Sequence, residues 1–139
     1  MDKVLVTAKI ENLFDIERHE RGLLPADQVR SIEVTDALVD TRVWGLLLPK
    51  RLIAQLGVRR FCIRQERING GATPIPTYSV VRLTIQGRDC SLDVGEVSDD
   101  LPVLIGQIPL QMLDFVVDGK NQRLIGNPEH GGEQMMDVF

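Results

Sequence analysis

Asp40 stands where an apolar run stops. Ala37-Leu38-Val39-Asp40-Thr41 leads aliphatic side chains into a carboxylate and a hydroxyl, and the apolar pattern resumes at Leu46-Leu47-Leu48-Pro49. A carboxylate at the end of a buried strand is costly unless it is paired, hydrogen-bonded or put to chemical use. Asp40 is therefore the first candidate for proton transfer, and Thr41 either supports it or bonds its own backbone. Other chemistries lack their residues. His19-Glu20 has no second histidine at zinc-helix spacing and His130 lies in a Gly-rich stretch, so both read as exposed side chains and no metal site is predicted. Cys62 and Cys90 have no CxxC spacing and read as buried, reduced thiols. No GxSxG, phosphate-binding or dinucleotide fingerprint is present, so no cofactor is expected. Asp99-Asp100 reads as a solvated turn.

The elements that must position Asp40 are mostly short strands. Val4 to Ile10 alternates, with Val4, Val6, Ala8 and Ile10 on one face. Glu11 to Gln28 is a polar connection carrying Gly22 and Pro25, anchored by Leu13, Phe14 and Ile16. Val29 to Val34 and Ala37 to Asp40 read as strands joined by a hairpin or bend at Thr35-Asp36. Pro49 suits a first helical position, Leu52, Ile53 and Leu56 share a face, and Gly57 suits the position just past the end. Val58 to Ile68 is extended, Asn69-Gly70-Gly71 is a turn, and Tyr78 to Ile85 returns. Pro74 and Pro76 imply an irregular or edge segment in that second arm. Cys90 to Val97, Leu101 to Ile105, a helical turn or two from Ile108 to Leu113, and a strand-turn-strand from Phe115 to Ile125 complete the pattern. Many short strands and few helices predict a mainly β barrel or sandwich.

Composition bounds the function. A chain of 139 residues is one ordinary domain, with 43% hydrophobic residues for its core. The net charge of -4 argues against nucleic acid as a partner, because neutralising phosphates requires a positive surface. A local exception runs from Arg42 to Arg67, where Lys50, Arg51, Arg59, Arg60 and Arg64 also fall and Glu66 is the one acid; it reads as a solvated basic face. The alternating segment after Met1 does not read as a signal peptide, and no apolar run approaches the roughly 18 residues of a membrane span. The expectation is a soluble, cytoplasmic protein with no membrane partner.

The ordered set of Ala37-Leu38-Val39-Asp40-Thr41, Leu46-Leu47-Leu48-Pro49, the helix from Leu52 to Gly57, the turn at Asn69-Gly70-Gly71 and Val103-Leu104-Ile105-Gly106 resembles retropepsin-like aspartic proteases of the bacterial, single-domain type. Phe115-Val116-Val117-Asp118 and Arg123-Leu124-Ile125-Gly126-Asn127-Pro128 resemble the family's closing strands. The resemblance implies a closed barrel with a flap hairpin and one or two short helices over residues 1–139. It implies that Leu104-Ile105-Gly106 crosses the Asp40 loop. It assigns Asp40 and Thr41 to catalysis and Asn69, Gly70 and Gly71 to the flap tip on the substrate side, and Arg42 and Trp44, next to the Asp-Thr pair, are substrate-side candidates by position. Amide hydrolysis by this route needs two carboxylates sharing one proton, and the chain has one Asp-Thr of this context. The second Asp40 must then come from another protomer about a two-fold axis, making the partners a homodimer and a peptide or protein substrate. Residues 129–139 read as a tail or as a dimer strand.

One residue departs from the family pattern: Arg42 stands where glycine belongs after Asp-Thr. A guanidinium turned toward the dyad holds both carboxylates ionised, whereas one turned to solvent leaves the loop working. Two readings follow, an aspartic endopeptidase and a catalytically silenced module of the same fold that binds peptide or serves as a scaffold. Val43-Trp44 also replaces small residues, and Trp44 fills either a core gap or a substrate wall.

Overall fold

A computed structural model describes residues 3–68 and 70–135. Strand β1 (Val4–Asn12) buries Val4, Val6, Ala8 and Ile10 and exposes the residues between them, as its alternation requires. It leads into helix α1 (Leu13–Glu20), where the Asn12 side chain caps Asp15 N at 3.1 Å and donates to Leu56 O at 2.8 Å. The polar connection is thus an ordered helix followed by a short 3-10 turn, Ala26–Gln28. Strand β2 (Ser31–Val39) then runs unbroken to Asp40. No hairpin divides it at Thr35-Asp36: β1 passes from Val6 to Ala8 while β2 passes from Ala37 to Val34, so the polar pair is accommodated as a bulge.

Strand β3 (Leu46–Pro49) is wholly buried and feeds helix α2 (Lys50–Leu56), which buries Leu52, Ile53 and Leu56 and ends on Gly57 at φ 64°. Pro49 precedes this helix instead of starting it. The Asp99 carboxylate accepts from Arg51 N at 2.8 Å and so caps α2, which gives the solvated turn a structural duty. Strands β4 (Arg59–Ile68), β5 (Gly71–Ile85) and β6 (Arg88–Val97) form an antiparallel meander. β5 begins well before Tyr78. Pro74 and Pro76 lie where β5 pairs with β4 alone, two residues apart and so facing the same, unpaired edge.

Strand β7 (Leu104–Ile105) is inserted between β2 and β3, parallel to the first and antiparallel to the second. The order β1-β2-β7-β3-β6-β5, closed by β5 pairing with β1, makes a six-stranded barrel, and β4 lies outside it on β5. Helix α3 (Gln107–Leu113) and a separate hairpin of β8 (Phe115–Asp118) and β9 (Arg123–Gly126) follow. Ile10, Leu46, Leu48, Leu83, Ile85 and Ile105 of the barrel strands form one core cluster with Leu56 of α2 and Leu113 of α3. A second apolar cluster, Val43, Leu47, Ile75, Val97 and Leu104, joins the β4–β5 hairpin to the outer face of β3. Gly95 makes that contact possible, because a Cβ there would stand 2.6 Å from Leu47 Cδ2 and 2.7 Å from Ile75 Cγ2. No helix among the described residues is long and apolar enough to cross a membrane.

Candidate active site

The loop from Asp40 to Gly45 is held by the strand that crosses it. Asp40 N donates to Ile105 O at 2.9 Å, Gly106 N to Gly45 O at 2.9 Å, Gln107 N to Val43 O at 2.9 Å and Ile108 N to Trp44 O at 2.7 Å. This approach is so close that a Cβ on Gly106 would meet Val43 O at 2.5 Å and Gly45 O at 2.6 Å. Glycine at 106 is therefore a steric requirement of the crossing. The Gln107 side chain adds a bond to Thr41 O at 2.6 Å. Its role left no trace in the sequence beyond its place after Ile105-Gly106.

The Asp40 carboxylate is taken up by its own loop. Oδ1 accepts from Arg42 N and from Arg42 Nε, each at 3.0 Å, and Oδ2 accepts from Arg42 Nη2 at 3.1 Å. The Arg42 hydrogen bonds, outweighing partial burial, hold the Asp40 carboxyl below the usual carboxylate range. Arg42 points inward, toward the carboxylate, yet its side chain keeps 62% of its surface exposed while that of Asp40 keeps 14%. Asp40, Thr41 and Arg42 line a cavity of about 340 Å³ with Lys3, Val4 and Val117.

Trp44 is not a core residue. It is 40% exposed, with the Arg67 guanidinium 4.6 Å from its ring centre. Beside it, the Glu66 carboxylate accepts from Trp44 N at 3.1 Å and Gly45 N at 2.6 Å, fastening the β4–β5 hairpin to the loop. In the sequence Glu66 stands out only as the lone acid of a basic run, and that isolation is the one signal it offers. Trp44, Gly70 and Gly71 meet around a cavity of about 250 Å³ with Glu66 and Arg67. Asn69 lies outside the described residues. The two cavities share no lining residue, so Trp44 and the hairpin tip form one group and Asp40, Thr41 and Arg42 another.

The remaining candidates take structural places. Cys62 and Cys90 are free and half-buried, and burial pushes the Cys90 thiol up to about 11. His19 is exposed, but His130 is not: its side chain is 14% exposed and its Nδ1 lies 2.7 Å from Asp114 Oδ2. Asp114 also accepts from Met135 N at 2.9 Å, so the stretch after β9 is tied to the end of α3. Of the expected tail or dimer strand at 129–139, residues 129–135 carry the end of a 3-10 turn, Pro128–His130, and no strand, and residues 136–139 lie outside those described. No protein-family model matches the chain, and no curated protein does.

Proposed function

We propose that the chain is a retropepsin-type module that pairs with a second copy about a two-fold axis. An extended peptide lies between the β4–β5 hairpin and the 40–45 loop, and Arg42 keeps both Asp40 carboxylates ionised, so the resting dimer holds peptide without hydrolysing it. The observation that carries this reading is the two-oxygen clamp of Arg42 on Asp40. A dyad that hydrolyses amides must hold one proton between two carboxylates, and a bidentate guanidinium favours the fully ionised form. Support for the fold assignment comes from β7 passing between β2 and β3 and from the glycine that its crossing demands.

The 62% exposure of Arg42 favours a second reading, an aspartic endopeptidase. Water competes for an exposed guanidinium, so substrate or the partner loop displaces it at modest cost and the dyad regains its proton. One set of proteins separates the two. Wild type, Arg42→Gly and Asp40→Asn are assayed for cleavage of a mixed peptide library from acidic to neutral pH and for retention of the same peptides. The binding reading expects an inactive wild type that retains peptide and an Arg42→Gly variant that cleaves at mildly acidic pH. A wild type that cleaves, with activity abolished by Asp40→Asn, establishes the endopeptidase instead. Absence of both cleavage and retention in every protein rejects both readings.

A further inference from the structure

On the face formed by α1, the end of α2 and the start of β4 lies a cavity of about 440 Å³, within the range of small-molecule sites. Its floor carries an ion pair. Asp15, buried at the start of α1, accepts from Arg30 N at 3.0 Å, Nε at 2.8 Å and Nη2 at 3.0 Å. Arg30 in turn packs against Gly57, where a Cβ would stand 2.6 Å from the guanidinium carbon. This pair neutralises the Asp15 charge, so that carboxylate does not repel an anion.

The rim is different. Arg18, Arg21 and Arg59 line the same cavity, and none of them forms an ion pair among the described residues. Glu17 is the one acid set against them once the Asp15–Arg30 pair is discounted. Arg18 also acts through space on the Asp15 carboxylate, and with Arg21 and Arg59 it places three guanidiniums without an ion pair on one cavity, a local field opposite in sign to the chain's net charge of -4. Apolar surface adjoins it: Phe14 is 49% and Leu23 73% exposed, both in the lining.

We propose that this cavity binds a small phosphate-bearing ligand with an aromatic or apolar portion, its phosphate oxygens held by Arg18, Arg21 and Arg59 and its ring against Phe14. Planar guanidiniums match phosphate oxygens in bidentate geometry, and three of them exceed what a single carboxylate engages. The site is independent of the Asp40 loop, with which it shares no lining residue.

Calorimetric titration of the full chain with inorganic pyrophosphate and with adenosine diphosphate tests the proposal. Both should bind at low salt, the nucleotide more tightly. Arg59→Gln and Arg18→Gln should each weaken both probes by about tenfold, the scale of one lost charge-assisted contact. Phe14→Ala should weaken the nucleotide and leave pyrophosphate unchanged. Lys120→Gln, which removes the same charge from the separate β8–β9 hairpin, should change neither. Equal weakening by Lys120→Gln would mean a diffuse field and overturn the site. So would no heat with either probe at millimolar concentration, or a glutamate-rich peptide binding where pyrophosphate does not.

Discussion

Arg42 bonds Asp40 through its backbone N–H and two guanidinium nitrogens, so protonating Asp40 must work against three donors at once. The direction of the shift fixes its linkage. A carboxyl whose folded-state pKa lies below its unfolded value contributes stability above the unfolded pKa, and that contribution is lost as pH falls through the folded pKa. Arg42→Gly removes the guanidinium donors, which head the causes of the shift, and leaves partial burial, which acts upward, against the one backbone N–H that glycine retains. Asp40 should then titrate at a higher pH, and carbon-13 carboxyl chemical shifts followed through acid pH measure it. An unmoved Asp40 titration would remove Arg42 as the controlling group. The neighbouring glycine is tested differently. Gly106→Ala places a methyl against backbone carbonyls that are themselves hydrogen-bonded and do not yield, so denaturant unfolding should show a loss of at least about 2 kcal/mol.

The β4–β5 hairpin lies against Trp44, and Glu66 fastens it there. Removing that carboxylate in Glu66→Ala frees the N–H groups of Trp44 and Gly45 while leaving the apolar contacts of Ile75 with Leu47 in place. Amide exchange at Trp44, Gly45 and the hairpin should accelerate about tenfold, with the barrel strands unaffected, since one charge-assisted bond is worth roughly that factor. Uniform acceleration across the barrel would mean that Glu66 supports the whole fold. What was legible at this scale followed from local rules. The alternation of Val4 to Ile10, the apolar face of Leu52, Ile53 and Leu56, the Gly57 stop and the Phe115 to Ile125 pairing are each written in a few adjacent residues. Closure of β5 onto β1, the bulge at Thr35-Asp36 and the Glu66 fastening are not, because each depends on where a distant strand passes. Trp44 escaped for the same reason: its exposure is set by the hairpin, and Arg67 covers its ring from there. Asp40 was legible as a costly carboxylate, but only the loop geometry shows that its own neighbour answers that cost.

At the scale of the molecule, one chain supplies the continuous apolar core of the barrel. If two Asp40 loops meet at a two-fold axis, each brings a carboxylate and the guanidinium that neutralises it, and the contact carries no net charge. Asp40→Lys replaces this arrangement with two cations per loop facing two more, and repulsion between partly desolvated like charges is severe. Sedimentation at micromolar concentration should give a dimer for wild type and a folded monomer for Asp40→Lys, with circular dichroism confirming the barrel in both. Asp40→Asn, which removes charge without reversing it, should remain dimeric. If Asp40→Lys stays dimeric, the axis passes elsewhere and the two carboxylates never form a dyad. A wild type that is monomeric throughout the accessible range rejects the paired site altogether, and with it both the peptide-holding and the peptide-cleaving reading.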